Sequence, residues 1–330
     1  MRRREFIALI GGAAAWPAAA RAQQDQSTRH VGVLLAFNET DSRAKRWLSQ
    51  FGKGLSELGW TNGKSLRMDV RWAADDVDLM RRLAKELVEI KPDVILAFGT
   101  PVTAALQRQT RTIPIVFAIV SDPVGEGFVA SLSRPGGNIT GFHNSEASIG
   151  GKWLELLTQI APRIKRAAMI FNPDTAPGHG KYYMPDFERA ARSLDVTPVA
   201  VPVRSSEELE AAVAELGREP GGGFIAMADF FLLNHRKSMI DLAARNKVPA
   251  VYPWREVPTA GGLLSYGPDL EDIVRRAAPY VDRILRGANP AELPVQVPTK
   301  FEIVINVTTA KVLGLDVPPT LLARADEVID

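Results

Sequence analysis

Short apolar runs in this chain repeatedly end in a polar or aromatic residue followed by a helix-starting pattern, and those run ends carry the residue types best suited to chemistry. In order they are Phe37-Asn38, Gly99-Thr100-Pro101, Ser121-Asp122-Pro123, Asn172-Pro173, Ala228-Asp229-Phe230 and Tyr252-Pro253-Trp254-Arg255. If the apolar runs are strands of an open α/β sheet, these positions lie at the carboxyl ends of the strands, where ligands bind and helix N-termini present free N–H groups. Two carboxylates, several hydroxyls and amides, and several aromatics suit a small molecule with a cationic amine, an anionic group and an apolar body. Each residue also has a purely structural use. Asp122-Pro123 and Asn172-Pro173 are common turn and cap sequences, and Thr100-Pro101 reads as an N-cap with proline at the first helical position. Asp229 stands out, because it leaves an apolar strand and is followed by Phe-Phe-Leu-Leu rather than by polar residues.

Catalytic patterns are weak by comparison. Gly262-Leu-Leu-Ser265-Tyr-Gly267 has one residue too many for a nucleophile elbow. Gly59-Trp-Thr-Asn-Gly63-Lys64-Ser65 is one residue short of a phosphate loop and leads into a strand. His30, His143, His179 and His235 lack metal-ligand spacing; a ligand contact by His143 and a solvated loop position are both open. The expectation is a binding protein, not an enzyme, with no catalytic residue, no metal and no cofactor.

The elements that must hold these residues alternate in a βα rhythm, with buried strands read from continuous apolar runs and helices from 3.6-residue periodicity. Strands are expected at 31–37, 65–73, 94–98 and 113–120, with helices at 42–58, 76–90 and 101–109 between them. The Pro/Gly-rich stretch Ser133 to Gly141 breaks the rhythm and is expected to cross between domains. A second series then follows, with helices at 148–160, through 187–194, from 206 and at 232–246, and strands at 167–171, 197–203, 223–228 and 250–253. A strand and turn at 261–267, a helix at 270–286, a strand at 302–306 and two short helices complete the chain. The fold class expected is therefore α/β: two similar lobes in tandem, each built on a parallel sheet. The first lobe is expected to span 30–140 plus about 262–288, and the second 141–261 plus about 289–330.

Ahead of both lobes, Arg2, Arg3 and Arg4 precede the apolar run Phe6 to Trp16, and Ala20-Arg21-Ala22 follows before Gln23. A basic start, a short apolar middle and a small-x-small site make a secretory leader over residues 1–22, cleaved near Ala22 and too short to anchor permanently in a bilayer. Arg3-Arg4-Glu5-Phe6-Ile7 also fits the twin-arginine pattern. The leader takes four arginines and one glutamate from a chain of net charge +2, so the remainder is close to neutral. A nearly neutral chain has no general basic character with which to hold nucleic acid. No second long apolar stretch suggests a membrane span in the mature chain. With no cysteine in the sequence, stability must come from packing without disulfides.

The stretch Ser121-Asp-Pro-Val-Gly-Glu-Gly-Phe-Val-Ala-Ser-Leu-Ser-Arg-Pro-Gly-Gly-Asn-Ile-Thr-Gly141, with Ala97-Phe-Gly-Thr-Pro101, Tyr252-Pro-Trp-Arg-Glu-Val-Pro-Thr-Ala-Gly-Gly262 and Val317-Pro-Pro-Thr-Leu-Leu-Ala-Arg-Ala-Asp-Glu327, resembles the substrate-binding proteins of ABC transporters. The similarity is to the branch of tryptophan/tyrosine-type binders and covers essentially the whole mature chain. The resemblance implies a type I periplasmic binding protein fold, with two Rossmann-like lobes joined by three crossings. It implies a monomeric periplasmic receptor that holds a small molecule, foremost an aromatic or other apolar amino acid, and delivers it to membrane permease subunits. The ligand's carboxylate and amine would be held by Thr100, Asp122, Asn172 and Asp229. Phe37, Asn38, Ser121, Tyr252, Trp254 and Arg255 complete the expected binding set. Relatives often carry Asp-Asn where this chain has Asp229-Phe230, and Ser-Ala where it has Trp254-Arg255. Arg255 would favour an acidic or aromatic-acid ligand. A ligand-presenting sensor module for a membrane kinase and an exported α/β hydrolase are the alternative readings.

Overall fold

The computed structural model describes residues 28–330; the leader expected over residues 1–22 lies outside them. Five strands form the first sheet: β1 (Arg29–Leu35), β2 (Leu66–Trp72), β3 (Val94–Phe98), β4 (Ile115–Val120) and β5 (Ile139–His143), in the order β2-β1-β3-β4-β5. Every pairing in it is parallel. β3 and β4 are buried along their whole length, as strands covered on both faces must be. The first sheet is flanked by α1 (Ser42–Glu57), α2 (Val77–Glu89) and α3 (Thr100–Gln109). α1 starts where Asp41 accepts from the N–H groups of Arg43 and Ala44, and it buries Ala44, Trp47, Phe51 and Leu55, one face of a helix.

The second sheet has seven strands in the order β12-β11-β10-β9-β8-β6-β7. These are β6 (Arg166–Phe171), β7 (Thr197–Pro202), β8 (Gly222–Ala226), β9 (Ala250–Tyr252), β10 (Leu264–Pro268), β11 (Phe301–Asn306) and β12 (Glu327–Ile329). Only β10 with β11 is antiparallel. Its helices are α4 (Ile149–Ile160), α5 (Met184–Ser193), α6 (Ser206–Gly217), α7 (Phe230–Asn234), α8 (Arg236–Arg245), α9 (Glu256–Thr259), α11 (Val307–Val312) and α12 (Pro319–Leu322), with α10 (Leu270–Leu285) crossing to the first lobe.

Four expectations need correction. The Pro/Gly-rich stretch does not cross between lobes; it leads into β5, a fifth strand of the first sheet, and the crossing follows at Asn144–Ser148. The segment from about 262 does not join the first lobe as a whole, because β10 pairs with β9 and β11 of the second sheet. α10 alone returns. It packs on α1 so closely that a Cβ at Gly54 would lie 2.9 Å from that of Ala278, and Asp282 accepts from the Trp60 indole at 2.8 Å. The chain from 289 also stays on the first lobe at first: Val295 donates to Leu132, Gln296 to Gly141, and His143 to Gln296. It thus passes between the sheets at 144–148, at 268–270 and at 297–300. Finally, the helix expected over 232–246 is two helices, α7 and α8, meeting at His235.

A bulge in β4 sets the site geometry. Ile119 has φ +59°, a conformation a β-branched residue rarely takes, and it shifts the register so that Val120 pairs with His143. Asp122 follows at φ +47°. The strained stretch delivers Ser121 and Asp122 at the end of the strand.

Candidate ligand-binding site

The carboxyl ends of both sheets face one another, and contacts between the lobes show them closed. Glu126 accepts from the Gly178 amide at 2.7 Å, Asn234 donates to the Ala36 carbonyl at 3.2 Å, and Arg236 pairs with Asp41 at 3.1 Å. Arg43 meets Glu256 at 3.6 Å and His235 meets Asp75 at 3.5 Å. The Phe230 ring crosses from the second lobe to stand edge-on to Phe37, with centroids 5.2 Å apart, and rests on Gly99. Gly99 has φ +114°, and a Cβ there would lie 2.5 Å from the ring, so glycine is required twice over.

The strand-end candidates divide by what their side chains do. Gly99, not Thr100, is the cap of α3; Thr100 is the first helical residue, and its buried hydroxyl accepts from the Ser121 N–H at 3.2 Å. Ser121 is buried in a hydroxyl network. It donates to Asn144 at 2.8 Å and accepts from Tyr183 at 2.8 Å, and Tyr183 also lies 2.7 Å from the Ser145 hydroxyl. Burial pushes the Tyr183 phenol up to about 12, so it is a neutral hydrogen-bonding group. Asp122 is half-buried and accepts from the Gly125 N–H at 2.9 Å. Phe37 is fully buried beneath Phe230, whereas Asn38 is exposed.

On the second lobe the expected carboxylate is used differently. Asp229 is 1% exposed. One oxygen accepts from Leu232 N–H at 2.9 Å, capping α7, and from the Thr175 hydroxyl at 3.3 Å; the other accepts from Asn172 N–H at 2.9 Å. Burial pushes its carboxyl up to about 7, against the lowering effect of those donors. Asp229 is therefore corrected from a cleft carboxylate to an internal brace joining β6 and α7. The apolar residues after it are apolar because they enter the lobe interface and core. Tyr252 is wholly buried, edge-on to Phe224 with centroids 5.8 Å apart, and Trp254 is 4% exposed. Arg255 is also corrected: its guanidinium reaches Glu302 at 3.1 Å and Glu327 at 2.6 Å, which hold it on β11 and β12 and raise its pKa despite desolvation.

Five residues outside the expected binding set are central to the observed cleft: Arg43, Trp47, Arg236, Glu256 and Phe230, the last named at a strand end but given no role. Arg43 is 4% exposed, with its guanidinium carbon 5.5 Å from the Phe37 ring centre and 5.0 Å from that of Trp47. The only advance sign was the spacing of Arg43 and Trp47, one helical turn apart just after the Asp41 cap. His143 is buried beside Tyr182, 3.5 Å from its hydroxyl, and desolvation drops its pKa to about 4, so it is a neutral imidazole at physiological pH. A groove of about 940 Å³ along α4 and α5, lined by residues such as Lys152, Asp186 and Tyr266, contains none of these residues. Among the described residues no three His, Cys, Asp or Glu side chains are grouped to hold a metal, and no helix is long and apolar enough to cross a membrane.

Comparison with known proteins agrees with this architecture. The chain is 28% identical over 265 residues to a tyrosine-binding protein of Clostridioides difficile, a match covering 80% of this chain and 75% of that one. A conserved domain protein of Vibrio cholerae superposes with a TM-score of 0.84 at 28% identity, covering 92% of this chain and all of the other. An ABC domain of Streptococcus pneumoniae in complex with L-tryptophan gives 0.83 at 23% identity over the same shares. A ligand-free, open substrate-binding protein of Clostridium difficile gives 0.65 at 23% identity, with 91% of this chain and 99% of that one covered. The fold is that of the type I periplasmic binding proteins. The model of the ABC transporter substrate-binding proteins matches residues 30–329, and the chain belongs to that family.

Proposed function

We propose that this protein is an exported receptor that closes on an aromatic amino acid between its two lobes and presents it to the permease of an ABC importer. The observation that carries the reading is the set of direct contacts across the cleft, from Phe230 on Gly99 and Phe37 to Arg43 facing Glu256. A protein whose lobes touch through aromatic and charged groups at the strand ends can couple binding to closure, since a ligand that bridges the lobes favours the closed population. The aromatic walls, the relative named a tyrosine-binding protein and the neighbour in complex with L-tryptophan support an aromatic ligand. The leader over residues 1–22 supports export, and cleavage near Ala22 would leave the receptor in the periplasm.

The test is a thermal-shift panel of the common amino acids on ligand-free protein, followed by calorimetry. L-Tyrosine or L-tryptophan should raise the melting temperature most, because ligand at 100 times its Kd adds about 2.7 kcal/mol of stability. A panel in which only non-aromatic amino acids or sugars stabilise would refute the ligand class. N-terminal sequencing of the exported protein should begin near Gln23.

A further inference from the structure

Two neighbouring ion pairs of different kinds cross the closed cleft at the start of α8. Arg236 pairs with Asp41 at 3.1 Å, and both charges are fixed. Beside it, His235 faces Asp75, with Nδ1 3.5 Å from Oδ2. The imidazole is held in place. It lies at the junction of α7 and α8, stacked on Phe231 with centroids 4.2 Å apart, and its Nδ1 donates to the Phe231 carbonyl at 2.9 Å. A carbonyl only accepts, so Nδ1 carries a proton, and Nε2, without a protein partner among the described residues, is free to take the second. Asp75 is anchored on the other lobe, in the turn between β2 and α2. Ala74 before it donates to the Phe37 carbonyl at 3.1 Å, and Asp76 after it caps α2 by accepting from Leu79 N–H at 2.9 Å. The Asp75 carboxylate itself has no partner but His235 among the described residues.

We propose that His235 and Asp75 form a pH-sensitive latch, in which protonation of the imidazole draws the lobes together, so that acid favours the closed receptor. Histidine is the side chain whose charge changes between about pH 5 and 8. Once charged, the ring attracts the Asp75 carboxylate, which is within reach only when the lobes are closed; when they part, the ring keeps only Arg236, a like charge, beside it in the chain. The other charged groups here are matched among themselves: Arg236 by Asp41, Asp41 also by Arg43 at 3.4 Å, and Arg43 by Glu256 at 3.6 Å. Paired carboxylates and guanidinium groups keep their charges over this range, which leaves His235 as the variable charge between the lobes. Asp229, whose carboxyl burial pushes up to about 7, titrates at the other end of α7. Its partners Leu232, Thr175 and Asn172 all belong to the second lobe, however, and stay with it when the lobes part. The latch is a modest one. With side chains 25% and 24% exposed, such a pair changes the ratio of closed to open forms by about two- to fivefold. A ligand that needs the closed form is then bound more tightly in acid by the same factor at most.

Spin-label distances on the ligand-free mature chain test the latch with no ligand needed. Glu86→Cys and Ala244→Cys replace exposed residues in the third turn of α2 and of α8, on opposite lobes and away from the latch itself. Between pH 8 and pH 5.5 the ratio of short to long distances in this labelled pair should rise about two- to fivefold. His235→Gln, which leaves Asp229 in place, should remove the response. Asp75→Asn, a change on the other lobe at a partly exposed turn, should remove it independently, an agreement that local damage around α7 would not produce. A ratio that stays constant with pH in the labelled wild type, or a response that survives in either variant, overturns the latch. Neither result bears on the aromatic ligand, which the thermal-shift panel decides separately.

Discussion

Replacing Asp229 by Asn separates a structural from a ligand-binding role for this residue. The wild-type carboxylate accepts three hydrogen bonds, two on one oxygen and one on the other. Asn has a single acceptor oxygen. If that oxygen keeps the Leu232 cap, the new NH₂ points at the Asn172 N–H, donor against donor, in a site that is 1% exposed. An unsatisfied buried donor costs about 1–3 kcal/mol, which in a protein of this size lowers Tm by several degrees. The pH dependence gives a second signature. The folded carboxyl titrates near 7, against 3.8 for the free group. The native state therefore holds a proton that the unfolded state has lost between these values, and its contribution to stability, full below pH 4, disappears as pH rises through 7. The slope is at most about 1.4 kcal/mol per pH unit. Urea denaturation of wild type and Asp229→Asn from pH 4 to 8 should show the two curves converging as pH rises. Calorimetry with L-tryptophan should meanwhile show affinity little changed. Affinity reduced thirtyfold with Tm unchanged would refute the brace and return Asp229 to the ligand.

Gly99→Ala should disfavour closure and weaken ligand binding at least tenfold, because its Cβ would strike the Phe230 ring at 2.5 Å in a backbone conformation at φ +114°; small-angle scattering with ligand would show an enlarged radius of gyration. Arg236→Gln breaks the 3.1 Å pair with Asp41 across the cleft, and should shift ligand-free protein toward open forms with little change in Tm, since a partly exposed pair contributes about 1 kcal/mol or less. His143 is held neutral with its pKa near 4, against 6.5 when free, so acidification from pH 6.5 toward 4 favours the unfolded state that takes the proton; His143→Gln should lessen that acid-side loss in the same denaturation series.

How far the sequence reached depended on whether a feature is local. β3, Val94–Phe98, is a continuous apolar run bounded by turn residues, and its limits were read without error. β5 was missed, because Ile139-Thr-Gly-Phe-His is short, follows a Pro/Gly stretch and contains Gly141. That glycine is there because its backbone passes so close to Phe117 that a Cβ would lie 2.1 Å from the Phe117 carbonyl oxygen. β10 was recognised as a strand but given to the wrong lobe, since its partners β9 and β11 are chosen by tertiary pairing that no local pattern states. The same limit applies at the cleft. Residue types mark the strand ends, but the direction of a side chain does not follow from its type: Asp229 turns inward to cap α7, and Arg255 is drawn outward by Glu302 and Glu327. Arg43 looked like one more charge on an amphipathic helix until folding placed it between two aromatic rings and opposite Glu256.

The central claim, that a ligand held between the lobes closes them, is tested most directly by the distance across the cleft mouth. The chain has no native cysteine, so Glu39→Cys and Lys237→Cys, both exposed and on opposite lobes beside the Asp41–Arg236 contact, can carry a pair of spin labels without background. Pulsed electron–electron distance measurement should show a broad distribution in ligand-free protein that narrows and shortens when L-tryptophan or L-tyrosine saturates the site. A distribution unchanged at confirmed saturation would contradict it.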